Sequence, residues 1–395
     1  YYTLDQENLY LRLDLEEALS GDQAVQLYLN LPAERNRMLT GLEEDVRLTM
    51  PANKVILINQ NQGVGTLYQN DGYTWSEQEA VFGQAAFGQN TLELALPLSV
   101  LGEVSSGDTI PFQLVLSGTP ALVFPAEAPG VIQYFSFEPL TSILLVEDPE
   151  GDDSGPGTYT YPTDGVFKEG DFDLTSFEVA SDGANLVFTF AVKAPITNGW
   201  GSPSGFSVQT FDVYIDKDPA SGTGARMLLP GRNAALSESD GWEIALWVEG
   251  WTPQVVVPDA SADNAPVNYT EATSAMKIYV DSGRNAVIVS VPTEFFGEGD
   301  PMDWAYAVAV LGQEGYPADG VWRVRDVSMK AEAYRFGGAP ADNNHTRIID
   351  LLLPADAEIS QADVLSTYPS SASPIDGKGP DDFAIVPLNF VSSNE

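Results

Sequence analysis

The chain has 395 residues, 44% of them hydrophobic, enough for two or three domains with real cores. Its 18 Lys and Arg stand against 57 Asp and Glu, a net charge of −39, which disfavours phosphate backbones and anionic headgroups and so excludes nucleic acid and membrane surfaces as natural partners. There is no cysteine, hence no disulfide, thiolate metal site or cysteine nucleophile, and no run of about 18 apolar residues that could insert into a bilayer.

Taken in chain order, the hydrophobic period is two. Leu9, Leu11, Leu13 and Leu15 alternate with Tyr10, Arg12 and Asp14, and similar alternation recurs at 25–29, 55–58, 92–96 and 112–116. Clusters of Gly, Pro, Asn and Asp separate these runs, so short strands in sandwiches are predicted. Short helices are predicted only near 15–18 and 362–366. The fold class is all-β, with two tandem β-sandwich domains of jelly-roll or immunoglobulin-like type.

The two halves repeat one another. NTLELALPLSVLG at 90–102 aligns without gaps on NAVIVSVPTEFFG at 285–297, matching Asn90 to Asn285, Pro97 to Pro292 and Gly102 to Gly297. Upstream, VQLYLN at 25–30 aligns on FDVYID at 211–216, and NLYLRLD at 8–14 on NLVFTFA at 185–191. The order of segments is the same in both halves. The predicted division is a first sandwich at 1–140, a linker at 141–147 and a second sandwich at 148–390. The first unit lacks a counterpart to the second unit's opening strand and is read as N-terminally truncated. The sequence begins with Tyr rather than Met, and is read as a processed product or a fragment.

Clustered carboxylates point to calcium, a hard cation that takes six to eight oxygen ligands. DPEGDD at 148–153 offers Asp148, Glu150, Asp152 and Asp153 in one turn, and Asp173 follows in FDL. A second group, Asp216 and Asp218 in YIDKDP, has the first two acids of a calcium loop but Ala220 at the third. Either could instead be a solvated acidic turn.

Stacking on sugar rings needs exposed aromatics. Trp200, Trp242, Trp247, Trp251 and Trp322 all fall in the second half. In DGWEIALWVEGW, Trp242 shares a face with Ile244, Leu246 and Val248 and is assigned to the core. Trp247, between Glu243 and Glu249, is expected on the exposed side. Trp200 lies in a Gly-Ser-Pro loop. Trp200, Trp247, Trp251 and Trp322 are the candidate carbohydrate-binding residues, with packing as the competing role for each.

Catalysis finds little support. His345, the one histidine, sits in a polar DNNHTR loop and is expected to be exposed, and no nucleophile elbow or phosphate-binding loop is present. Carboxylate pairs are too numerous here for any one pair to be informative. Two sequons, at Asn268 and Asn344, suit a secreted protein.

Residues 148–179, DPEGDDSGPGTYTYPTDGVFKEGDFDLTSFEV, resemble the opening of the C-terminal domain of glucodextranase, a domain similar to those that end amylopullulanases. YIDKDP at 214–219, LLPGRNA at 228–234, GWEIALWVEGW at 241–251, and YRFGG with IIDLLLP within 334–354 continue the likeness. The first unit resembles, more weakly, the DOMON-like sandwiches that precede this domain. The resemblance implies a β-sandwich akin to family 9 carbohydrate-binding modules, structural calcium, and an extracellular role in binding a polysaccharide (an α-glucan or a cell-wall glycan) or attaching to a cell surface. The catalytic domain would lie upstream, outside this chain. A competing reading is a structural protein that self-associates through exposed edge strands into a filament or layer.

Overall fold

The computed structural model describes every residue except 5–6, 16–22, 44, 60–64, 89, 103, 105–106, 119–120, 135–139, 374–376 and 392–395, together with the side chains of 79–82. The chain divides into two compact units, Tyr1–Glu138 and Pro139–Glu395. Each is a β-sandwich, as the period-two pattern requires.

In the first unit the strands are β1 (Tyr2–Leu4), β2 (Asn8–Asp14), β3 (Ala24–Leu29), β4 (Met38–Thr40), β5 (Arg47–Ala52), β6 (Lys54–Asn59), β7 (Gly65–Asn70), β8 (Trp75–Phe82), β9 (Gln84–Phe87), β10 (Thr91–Pro97), β11 (Thr109–Leu116), β12 (Leu122–Phe124) and β13 (Gly130–Gln133). A small sheet runs β1-β2-β10-β9 and a large one β12-β11-β3-β6-β7-β8, with β13 also on β11. Leu9, Leu11, Leu92, Leu94 and Leu96 of the small sheet meet Val25, Leu27, Leu29, Ile56 and Ile58 of the large one. The β4–β5 hairpin covers the other face of the large sheet through Val46, Leu48 and Met50, packed on Tyr28, Val55 and Val115. The helix expected near 15–18 falls largely outside the described residues.

The second unit continues with β14 (Thr141–Glu147), β15 (Leu174–Ser181), β16 (Asn185–Val192), β17 (Gln209–Asp216), β18 (Ala234–Ala235), β19 (Ile244–Glu249), β20 (Gln254–Asp259), β21 (Ala265–Asn268), α1 (Thr270–Ala275), β22 (Lys277–Asp281), β23 (Ala286–Pro292), β24 (Ala305–Gly312), β25 (Ile348–Leu351), α2 (Gln361–Ser366), β26 (Ala384–Ile385) and β27 (Asn389–Phe390). The small sheet is β14-β15-β16-β23-β22; the large one is β21-β20-β19-β17-β24-β25, with β27 also on β24. Helix α2 lies where its sequence predicts, capped by the Ser360 side chain. Residues 141–147 are not a linker. They form β14, paired with β15 from Thr141↔Ser181 to Glu147↔Ser176, because their alternating Ile143, Leu145 and Leu144, Val146 suit a sheet edge rather than a tether.

Strand order and register correspond between the units. Pro97 pairs with Asn8 as Pro292 pairs with Asn185. Tyr28 lies between Val55 and Gln113, and Tyr214 between Ala245 and Ala307. Both β10 and β23 run into a 3-10 turn that ends at a glycine with φ of 70°, Gly102 and Gly297, a conformation that side chains with a Cβ avoid.

Candidate functional site

The acidic cluster draws on three separated segments of the second unit. Asp148 follows β14, Asp152 sits in the turn that Gly151 permits at φ 91°, and Asp350 lies within β25. One oxygen from each of these three lies within 4.8 Å of the others. Asp148 is 7% exposed and Asp350 fully buried. Backbone donors hold the carboxylates in place: Leu353 N–H donates to Asp148 Oδ1 at 2.6 Å, and Leu174 and Leu351 N–H donate to Asp350 at 2.7 and 3.0 Å. Gln361 of α2 donates to the Asp152 carbonyl at 2.5 Å and accepts from Leu351 N–H at 2.6 Å, tying the helix to the cluster.

Two oxygens, Asp148 Oδ2 and Asp152 Oδ1, are buried with no hydrogen-bond partner. Burial raises the Asp148 carboxyl to about 8, helped by the charges of Asp152 and Asp173. It raises Asp152 to about 6, and it lifts Asp350 well above the usual carboxylate range, with Asp148 adding to the shift. Leaving such charges buried without a cation costs on the order of several kcal/mol each. Converging carboxylates with open lone pairs are what a hard divalent cation needs.

The other expected ligands sit differently. Asp173 accepts from Gly151 N–H at 2.9 Å and pairs with Lys193 at 3.3 Å. Asp153 accepts a hydrogen bond from the Tyr161 hydroxyl. Glu150 is exposed, 3.7 Å from Lys193. Asp350 is not among the ligands expected from the sequence, although a lone acid inside the apolar run IIDLLL signals a buried carboxylate that needs a partner.

Asp216 and Asp218 do approach one another and are joined by Glu243. Here the oxygens already have donors. Asp216 accepts from Asp218 N–H and Gly241 N–H, both at 3.1 Å, and Glu243 accepts from Lys217 N–H at 2.9 Å. Thr223 Oγ1 donates to Asp218 at 2.6 Å. These carboxylates are hydrogen-bonded, whereas Asp148 and Asp152 each keep a buried oxygen that is not.

The tryptophans divide. Trp247 is 4% exposed, against the expectation of an exposed indole. The large sheet is covered on both faces, so the outer side of β19 carries a second core with Leu228, Leu229, Leu351 and Leu365. Trp247 packs there on Trp322 at 5.4 Å, with the Arg232 guanidinium 5.6 Å from its ring. Trp322 is half-buried. Trp242 is buried as expected, but in this outer core, against Tyr214 at 5.9 Å. Beneath them Arg232 and Asp212, both fully buried, pair at 2.6 Å.

Trp200 is 37% exposed, in contact with Phe167 at 5.8 Å, and Phe167 in turn contacts Tyr334, itself 50% exposed. The Arg325 guanidinium lies 5.5 Å from the Trp200 ring and is held by Glu314 at 3.2 Å and the Gln313 carbonyl at 2.6 Å. Two residues earlier, Arg323 lies 5.7 Å from half-buried Trp251 and 3.5 Å from buried Glu249. Arg323 has φ of 47°, an uncommon conformation for a residue other than glycine. The loops are neighbours, since Ser204 N–H donates to the Gly250 carbonyl at 3.1 Å. The result is two tryptophan–arginine pairs with carboxylates and amides around them. Sequence reasoning found Trp200 and Trp251 but not Arg323, Arg325 or Tyr334, which come from loops distant in the chain.

His345 is half-buried rather than exposed, its Nδ1 2.8 Å from the Asp342 carbonyl. Asn344 of one sequon is fully buried and donates to the carbonyls of Pro369 and Asp382, while Asn268 of the other is exposed.

A search of curated proteins returns no match. Comparison with protein families matches residues 143–375, well over half the chain, to the C-terminal binding module, SLH-like, of glucodextranase. That span contains the buried carboxylates, both tryptophan–arginine pairs and the second unit's sandwich apart from the first two residues of β14 and the short β26 and β27, and the chain belongs to this family of binding modules.

Proposed function

We propose that the chain is the non-catalytic, glycan-binding or surface-attaching region of a secreted glycoside hydrolase acting on α-glucans, with the catalytic domain elsewhere in the precursor. The observation that carries the reading is the Trp200 surface. Its indole is partly open and fixed from behind by Phe167 and Arg325, so stacking on a pyranose costs little side-chain ordering. Tyr334 extends the aromatic surface, and Glu314 and Arg323 supply hydrogen-bonding groups for sugar hydroxyls. The family match supports a binding role, and an SLH-like module suits an extracellular or cell-surface setting. Among the described residues no helix is long and apolar enough to cross a membrane.

Calcium serves this reading as a structural ion at Asp148, Asp152 and Asp350. The two unpartnered buried oxygens support that assignment. The ion would tie β14, the 148–155 turn and β25 together, at the end of the sandwich where α2 docks. The correspondence of the two units supports an internal duplication.

The test is retention of the purified chain on insoluble starch, dextran and wall material, beside a reducing-sugar assay. Trp200→Ala should weaken retention about 2- to 12-fold, the equivalent of about 0.5–1.5 kcal/mol for one aromatic contact. Trp247→Phe should leave retention unchanged. Retention that ignores Trp200 and Tyr334 together, or sugar release by the pure chain, would sink the proposal.

A further inference from the structure

Residues 148–173 run without interruption from the acidic cluster to the surface around Trp200. The segment opens on the turn that holds Asp148 and Asp152, and Gly151 N–H of that turn donates to Asp173 at its far end, at 2.9 Å. Between these ends it is laced to the stretch that carries Tyr334. Thr160 and Gly337 exchange backbone hydrogen bonds at 3.1 and 2.9 Å, and Thr163 and Asp164 N–H donate to the carbonyls of Glu332 and Ala333 at 2.9 and 3.0 Å. Phe167, which backs Trp200, stands on the loop that follows.

One side chain joins the two ends. The Tyr161 hydroxyl donates to Asp153, the neighbour of Asp152, and accepts from Phe172 N–H at 3.2 Å. Its ring meets Phe172 at 5.3 Å and Phe336 at 5.8 Å. Phe172 meets Phe336 at 5.0 Å and Phe167 at 6.4 Å. Phe167 in turn meets Trp200 at 5.8 Å and Tyr334 at 6.4 Å. Phe172 and Phe336 are fully buried and Phe167 nearly so, and in a close-packed row a shift of one ring displaces the next. The row starts at a carboxylate beside the acidic cluster and ends on the two exposed rings.

We infer, resting on the glycan and calcium readings above, that the acidic cluster and the Trp200 surface are thermodynamically linked, with Tyr161 as the positioning residue between them. The turn at 148–155 is the element with two arrangements. With a cation between them its carboxylates converge, and Asp153 is held against Tyr161. Without one they repel and the turn opens. Tyr161 and Phe172 then lose their anchor, Phe167 no longer fixes the Trp200 ring, and a glycan has to order that ring itself. The link acts through the aromatic contacts, so its size is bounded by what one such contact contributes, about 2- to 12-fold in affinity. By reciprocity a bound glycan tightens the ion by the same factor.

The full chain is measured for retention on insoluble starch, dextran and wall material in excess calcium and in excess chelator. Retention should be about 2- to 12-fold stronger in calcium. Calorimetric titration with calcium chloride should show the same factor in ion affinity when soluble fragments of the retaining polymer are present. Tyr161→Phe keeps the ring and removes the hydroxyl. It should still bind calcium and still be retained, with each affinity now indifferent to the other ligand. Hydrogen exchange gives a second readout: calcium should slow residues 163–168 in the unsubstituted chain and not in Tyr161→Phe. If Tyr161→Phe only lowers the melting temperature and leaves the calcium dependence of retention intact, the role is purely structural and the inference is overturned. Equal retention in calcium and chelator, while calorimetry shows the ion bound, overturns the link and leaves glycan binding standing. Absence of calcium binding also overturns it. No retention on any polymer in calcium removes glycan binding itself, and the link with it.

Discussion

The two units place a tyrosine at the same point and load it differently. Tyr28 and Tyr214 each sit on the outer face of the third-in-line strand of the large sheet. Each hydroxyl accepts a backbone N–H from the covering loop, from Leu42 at 2.8 Å or Leu229 at 3.1 Å. Each donates to the side chain two residues earlier, Gln26 or Asp212. In the first unit the pair is neutral and the cover is one hairpin. In the second Asp212 forms an ion pair with Arg232, and long loops bring Trp242, Trp247 and Trp322 over the sheet. One sandwich thus accepts either a plain cover or a charged, aromatic one. The potential binding groups have gathered where the cover is larger.

The largest expected contrast tests that difference. Asp212→Ala leaves Arg232 buried without its partner, and should cost the second unit about 3–5 kcal/mol in denaturant unfolding. Gln26→Ala removes one neutral hydrogen bond and should cost the first about 1 kcal/mol. Similar losses at the two positions would mean that the buried charge adds nothing.

Calcium should sharpen the contrast next. At 100 times its dissociation constant an ion bound only by the folded state adds about 2.7 kcal/mol. Hydrogen exchange should show slower opening around 148–155 and 348–353 with calcium, no change in residues 1–134, and no response in Asp350→Asn. Equal protection of both units would remove the ion from Asp148, Asp152 and Asp350.

The last contrast is the pH dependence of the chelated protein. Burial raises Asp148 to about 8 and Asp152 to about 6, above the ordinary value of 3.8 that they keep when unfolded. The folded unit therefore holds protons that the unfolded chain has lost. These two groups favour the fold fully below about pH 4, and that contribution falls away as pH rises through 6 and 8. Without calcium the second unit should melt higher at pH 5 than at pH 8, and calcium should narrow the gap, since protons and metal compete for the same oxygens. A chelated protein more stable at pH 8 than at pH 5 would contradict this.

Much of this arrangement is legible in the chain. The period of two, the Asn, Pro and Gly kept in register between 90–102 and 285–297, and the turn residues at 148–155 suffice for two all-β sandwiches and for Asp148 and Asp152 of the acidic cluster. Strand boundaries and local turns depend on neighbours in sequence, so sequence carries them. Asp350 lies some 200 residues from Asp148, and only the fold of β25 beside the 148–155 turn makes them one site.

Residues 8–14 and 185–191 thus determine by themselves that each forms a strand with one apolar face. Only the tertiary structure decides what that face meets: Val25, Leu27 and Ile56 around Leu11, Phe177 and Phe211 against Phe190. The same holds for Trp247. Its alternation assigns a side of β19, but whether that side is solvent or core depends on loops from 228–236 and 321–324, whose covering role no local pattern encodes. Burial is a property of what arrives from elsewhere in the chain.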